Sequence, residues 1–87
     1  MKPYEVLWDQ DAETQLATIF LTSSDPNLLW PAQDRADRKL EQRPKQAGKE
    51  LSEGLWEIYE SPLRIFYEID DAKKTVTVTH VQIIDLQ

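Results

Sequence analysis

The stretch Leu55-Trp56-Glu57-Ile58-Tyr59-Glu60-Ser61-Pro62-Leu63-Arg64-Ile65-Phe66-Tyr67-Glu68-Ile69, with the run 75–84 behind it, decides how this chain folds. Residues 55–60 are bulky and β-prone, and Ser61-Pro62 interrupts them. From 63 to 70 the side chains alternate with period two. Leu63, Ile65, Tyr67 and Ile69 fall on one face, and Arg64, Phe66 and Glu68 on the other. Asp70-Asp71-Ala72-Lys73-Lys74 reads as a polar hairpin tip, and 75–84, with three Thr and several branched apolar residues, reads as the last strand. Within that strand the apolar parity changes from Val76 and Val78 to Val81 and Ile83. Either a bulge near His80 turns the strand or both of its faces are covered; Ile84 restores the even face, which favours a central strand. A short strand at 50–52 is compatible with the pattern.

Upstream, Tyr4, Val6 and Trp8 alternate as a short strand would. Asp9 or Asp11 can cap a following helix, with Glu13 adding acid to its first turn. Ala12, Leu16, Ile19 and Phe20 form its single apolar stripe, and the turn formers at 22–27 end it. Pro31 would sit inside any helix begun at Pro26, at a cost of about 3 kcal/mol. The spacing therefore predicts a separate turn near 26–29 and a helix over 31–42, with Ala32, Ala36 and Leu40 inward. Residues 43–48 read as a loop. Strand, helix, helix and strand meander make an α+β fold: two helices on one face of a mainly antiparallel sheet of three to five strands, in one domain over 1–87. The other sheet face is left as a candidate working surface.

Composition narrows the function. With 40% hydrophobic and 30% charged residues the chain is suited to folding. No apolar run approaches the ~18 residues of a membrane helix, and no signal-like start is present, so the expected compartment is the cytoplasm and no membrane partner is expected. The absence of Cys removes disulfides, thiolate metal sites and a Cys nucleophile. A lone His80 cannot build a zinc site, no acidic spacing fits a calcium loop, and Gly48 and Gly54 are too few for a glycine-rich phosphate loop. Neither a metal nor a small-molecule cofactor is expected.

A net charge of −6 argues against general nucleic-acid binding. The charge is uneven, however. Residues 35–49 hold Arg35, Arg38, Lys39, Arg43, Lys45 and Lys49 against only Asp37 and Glu41, a local +4 that leaves −10 elsewhere. Such a strip could face an acidic partner or RNA, or it could simply complement the negative end of a helix dipole. Trp30, beside Pro31, is a candidate docking aromatic for a partner.

Leu55-Trp56-Glu57, a tight turn, and then Arg64-Ile65-Phe66-Tyr67 resemble the paired strands of the RelE/ParE toxin family. Trp8 before an acidic-start helix is similar to the family's opening, and 48–51 to its approach to the sheet, so the resemblance spans about residues 4–84. It implies one half of a type II toxin–antitoxin pair, with a cognate antitoxin as partner. The RelE-like branch cleaves mRNA in the ribosome and the ParE-like branch inhibits DNA gyrase, so RNA or gyrase is the implied target. RNA cleavage requires a base for the ribose 2′-hydroxyl, an acid for the leaving oxygen and cations for the phosphate.

Carried over by position, Arg64 falls on the family's phosphate-stabilising arginine. Glu57 and Tyr59 fall where one nuclease branch has two lysines, and Gln82 and Ile83 lie near positions that elsewhere hold His-Tyr or a terminal Arg. A reduced site would use Arg64 for phosphate, Glu57 or Glu50 as base and His80 as acid. The plainer reading makes Arg64 a strand residue paired with Glu57 or Glu68, and His80 a surface residue. The expectation is a toxin-like component that acts by binding a partner or target rather than by efficient ribosome-dependent cleavage. The alternatives are a non-toxic binding module on the same fold and a weak RNase using Arg64.

Overall fold

A computed structural model describes residues 3–84. Strand β1 (Glu5–Trp8) leads into helix α1 (Gln10–Thr22), a 3₁₀ turn at Pro26–Leu28 and helix α2 (Leu29–Gln42). A single helical turn, α3 (Pro44–Ala47), then precedes strands β2 (Lys49–Ser52), β3 (Leu55–Glu60), β4 (Leu63–Asp70) and β5 (Thr75–Ile83). The sheet runs β1-β5-β4-β3-β2; its last three pairings are antiparallel, and β1 lies parallel to β5. The sheet is thus mixed, and its five strands include the short one at its edge.

Asp9 caps α1, its Oδ1 accepting from the Ala12 amide at 2.8 Å, and Asp11 and Glu13 place negative charge in the first turn. Helix α2 begins two residues earlier than its proline suggests. Pro31 occupies the third position of the first turn, where an amide would have had no intrahelical acceptor, so the missing N–H costs nothing there. The stretch 43–48, read as a loop, forms α3 because Pro44 starts a turn that closes with the Ala47 amide on the Arg43 carbonyl.

Leu29, Ala32, Ala36 and Leu40 recur on one side of α2 and are wholly buried, as is Ala12 of α1, with Ile19 nearly so. They meet Ile58, Leu63, Ile65, Tyr67, Val76, Val78 and Val81 from the sheet. A hydrogen bond from Trp8 Nε1 to Asp37 Oδ1 (3.1 Å) ties β1 to α2.

Strand β5 is interior, as its pattern favours, with β1 and β4 on either side, but its parity change comes from a bulge rather than from coverage of both faces. Phe66 pairs with His80 but Tyr67 pairs with Val78, so Thr79 is the extra residue. It moves the buried set from Val76 and Val78 to Val81 and leaves His80, Gln82 and Ile83 exposed. Two glycines have different reasons to be glycine. Gly54 turns β2 into β3 at φ +84°. At Gly48 a Cβ would collide with the Tyr67 hydroxyl and the Glu57 carbonyl.

Candidate functional site

The helix-covered face uses the odd residues of β4, so Arg64 and Phe66 project from the opposite, open face. Register extends this face across four strands: Lys49 opposes Glu57, Glu57 opposes Phe66, and Phe66 opposes His80. Directly opposed residues share a face, so these four form one transverse row. Arg64 opposes Tyr59 and leans along the sheet into that row. Its guanidinium lies 4.7 Å from the Phe66 ring centroid and 5.5 Å from that of Tyr59. Its Nη2 donates to Glu57 Oε2 at 2.8 Å, whereas its buried Nε has no acceptor among the described residues.

This geometry brings together the three sequence-nominated catalytic residues but sets two of them against each other. Glu57 is only 5% exposed. The Arg64 hydrogen bond holds its carboxyl below the usual range against the opposing effect of burial, and the charge on Lys49 acts in the same direction. A carboxylate so stabilised is a poor general base. The same contact raises the Arg64 guanidinium above its ordinary value. His80 stands edge-on to Phe66 with ring centroids 6.3 Å apart, and its Nδ1 lies 3.4 Å from Thr79 Oγ1.

The basic strip disperses in space. Arg35 and Lys39 both reach Glu60, at 3.0 and 2.6 Å, and clamp α2 to β3 on the helix side of the sheet. Burial pushes the Glu60 carboxyl up, but the two cations overcome it and leave it below its ordinary value. Arg38 pairs with Asp34 one turn away at 3.1 Å. Lys45 pairs with Asp71 at 2.7 Å, and Asp71 also accepts from the Tyr4 hydroxyl at 2.8 Å. Hydrogen bonds from Lys45 and Tyr4 lower the Asp71 carboxyl below its usual value. Arg43 shares a shallow hollow with Arg38, Lys39 and Gln42, whereas Lys49 belongs to the open sheet face.

Trp30 lies elsewhere again. The residue is 63% exposed, and its ring packs on Phe20 at 4.8 Å between centroids. Together they border a groove of about 840 Å³ between the helices and the β1 edge, lined also by Val6, Leu7, Leu16 and Leu21. Leu21 is 86% exposed, which is unusual for so large an apolar side chain beside other apolar ones. Sequence reading missed Leu7 and Leu21. Leu7 falls out of phase with Tyr4, Val6 and Trp8, and Leu21 lies just past the α1 stripe; those are the signals that could have found them.

No protein-family model and no curated protein sequence matches this chain. Solved structures do. The toxin–antitoxin complex RelBE2 of Mycobacterium tuberculosis aligns over 95% of this chain and 93% of its own, with a TM-score of 0.78 and 27% identity. A chromosomal ParDE system from P. aeruginosa aligns over 94% and 97%, with a TM-score of 0.68 and 17% identity. The isolated E. coli RelE toxin aligns over 97% and 87%, with a TM-score of 0.62 and 22% identity. This chain has the RelE/ParE toxin fold. On this RelE/ParE sheet Arg64 does project from the open face, but the acidic residue opposite its neighbour Phe66 holds it. Both the groove and the open face of the RelE/ParE fold are therefore candidate surfaces, and they differ in chemistry: one is apolar, the other a row of paired charges.

Proposed function

We propose that this chain is the toxin-like component of a type II toxin–antitoxin module in the cytoplasm, binding a cognate antitoxin and acting on its target by binding rather than by efficient mRNA cleavage. The observation that carries this reading is the state of the open face. Its one phosphate-suited arginine is held by Glu57 at 2.8 Å, and Glu57 is thereby held in its weakly basic form. The aligned RelBE2 and ParDE structures are complexes with antitoxins, which supports an antitoxin partner here.

The groove beside Trp30 is the surface on which such a partner would dock. It accommodates the apolar stripe of an amphipathic segment, and Glu13 is the one charged residue among the described residues that line it. On an acidic body, that favours Lys or Arg on the flanks of the docking segment. RNA and gyrase are the target classes that the family suggests.

The reading is tested by controlled expression in a bacterial host, with and without the product of the adjacent gene. Growth arrest relieved by that product is expected. Trp30→Glu should keep the arrest and lose the relief, because a central docking aromatic is worth about 2 kcal/mol or more. Harmless expression of a folded protein would instead favour the non-toxic binding module. Arrest abolished by Arg64→Ala in a folded protein, with cut transcripts in the wild type, would favour the weak RNase.

A further inference from the structure

The row Lys49, Glu57, Phe66 and His80 contains one negative group, and Arg64 reaches into it over the Phe66 ring. Arg64 and Lys49 thus flank one carboxylate, and the His80 imidazole stands beyond it on the far side of the Phe66 ring. Oxyanions with two or more free oxygens frequently take arginine through two nitrogens at once. Glu57 takes only Nη2, and the buried Nε is left without an acceptor among the described residues. The carboxylate therefore occupies the position of an anion without making the full set of contacts that such a ligand would make.

Room exists across the Phe66 ring from it. A hollow of about 510 Å³ beside Phe66 is lined by Leu55, Glu68, Thr79 and His80. Glu68, on its rim, is the second acid facing this area, one strand step from Phe66.

We infer that Glu57 is a built-in counter-anion that keeps the open sheet face closed to phosphate, and that removing its charge converts the Lys49–Arg64–His80 row into a phosphate-binding site. The ligand chemistry is a phosphate oxyanion, supplied either by free phosphate or by the backbone of single-stranded RNA, whose bases can also stack on Phe66. The inference rests on the part of the proposed function that sets cleavage aside. The relief assay with the adjacent gene product tests the groove, so its failure leaves this site untouched, and the converse also holds.

The test titrates full-length wild type, Glu57→Gln and Glu57→Ser with inorganic phosphate and, separately, with a short single-stranded RNA. The Arg64 Nε–H resonance and the aromatic signals of Phe66 and His80 are followed by NMR. Wild type is expected to stay unmoved by phosphate, while the variants bind at least about tenfold more tightly, as loss of an adjacent unit charge implies. Adding Arg64→Ala to Glu57→Gln should abolish the gain. A gain for RNA well beyond that for phosphate identifies the RNA backbone as the source, and equal gains identify free phosphate. Movement of the wild-type Nε–H by phosphate, folded variants that bind like wild type, or a gain that survives Arg64→Ala would each overturn the inference. The wild-type arm applies even where a variant fails to fold.

Discussion

Strand β3 carries two nearly buried carboxylates three residues apart, and they do opposite work. Glu60 points to the helix side and is held by Arg35 and Lys39 of α2, so its ion pairs fasten one layer of the fold to the other. Glu57 points to the open side and is held by Arg64 of the neighbouring strand, so its ion pair joins residues that the sheet already holds together. Both are kept ionised below the ordinary carboxylate value. The difference is in what each pair organises. One positions an element, and the other neutralises the cation most suited to chemistry on the exposed face.

If that contrast is right, removing the partners of Glu60 should have the largest effect. The double substitution Arg35→Ala/Lys39→Ala leaves a carboxylate that is 8% exposed without a counter-charge against the core. A loss of about 2–3 kcal/mol is expected, less than for a fully buried pair because both cations are nearly half exposed, measured by urea unfolding at neutral pH. Arg64→Ala should lose less than half as much, because Lys49 stands opposite Glu57 and the open face lets that carboxylate turn toward water. Equal losses would erase the distinction between a fastening pair and a neutralising one.

The contrast also marks how far the sequence could be read. The strand boundaries of β3 and β4 follow from period two and from Ser61-Pro62, and the face of Arg64 follows from parity alone. The start of α2 was misplaced because a proline inside a helical run normally ends it, whereas Pro31 lies within the first turn. Val81 was ambiguous because one inserted residue, Thr79, shifts parity in the same way as a strand covered on both faces. The basic strip was legible as composition but not as a surface. Linear proximity of Arg35, Lys39, Lys45 and Lys49 says nothing about Glu60, Asp71 and Glu57, which lie far along the chain and meet them only in the fold. The groove was harder to read for a related reason: exposure of Leu7 and Leu21 depends on β1 lying at the sheet edge and on where α1 ends.

Gly48 sharpens the comparison at the backbone beneath Glu57. The Tyr67 hydroxyl donates to the Pro44 carbonyl at 2.6 Å and fills the space where a Gly48 side chain would lie. Gly48→Ala should destabilise by about 1–3 kcal/mol through overpacking. Because the same Cβ would press on the Glu57 carbonyl, the substitution should disturb the Arg64 resonances more than any signal from Arg35 or Lys39. Tyr67→Phe removes one of the two obstacles, at a cost of about 1 kcal/mol for the lost hydrogen bond. The double variant should therefore be more stable than the sum of the single losses implies. Strict additivity would show that the hydroxyl is not what excludes a side chain at 48.

The smallest expected effect is on acid stability, and it tests both carboxylates at once. Each has a folded-state pKa below the ordinary 4.5, so at mildly acidic pH the unfolded chain binds more protons than the folded one. The stability they contribute is fully present above about pH 5 and falls away as pH drops through the ordinary value toward the folded one. Glu57→Gln and Glu60→Gln should each flatten that fall. The two variants should part company at neutral pH. Glu60→Gln should lose stability there, since two cations lose their shared anion, whereas Glu57→Gln should stay nearer to wild type because Arg64 keeps its stacking on Phe66 and an amide acceptor. Measured by urea unfolding from pH 3 to 7, a Glu57→Gln loss at pH 7 as large as that of Glu60→Gln would make Glu57 a structural residue first.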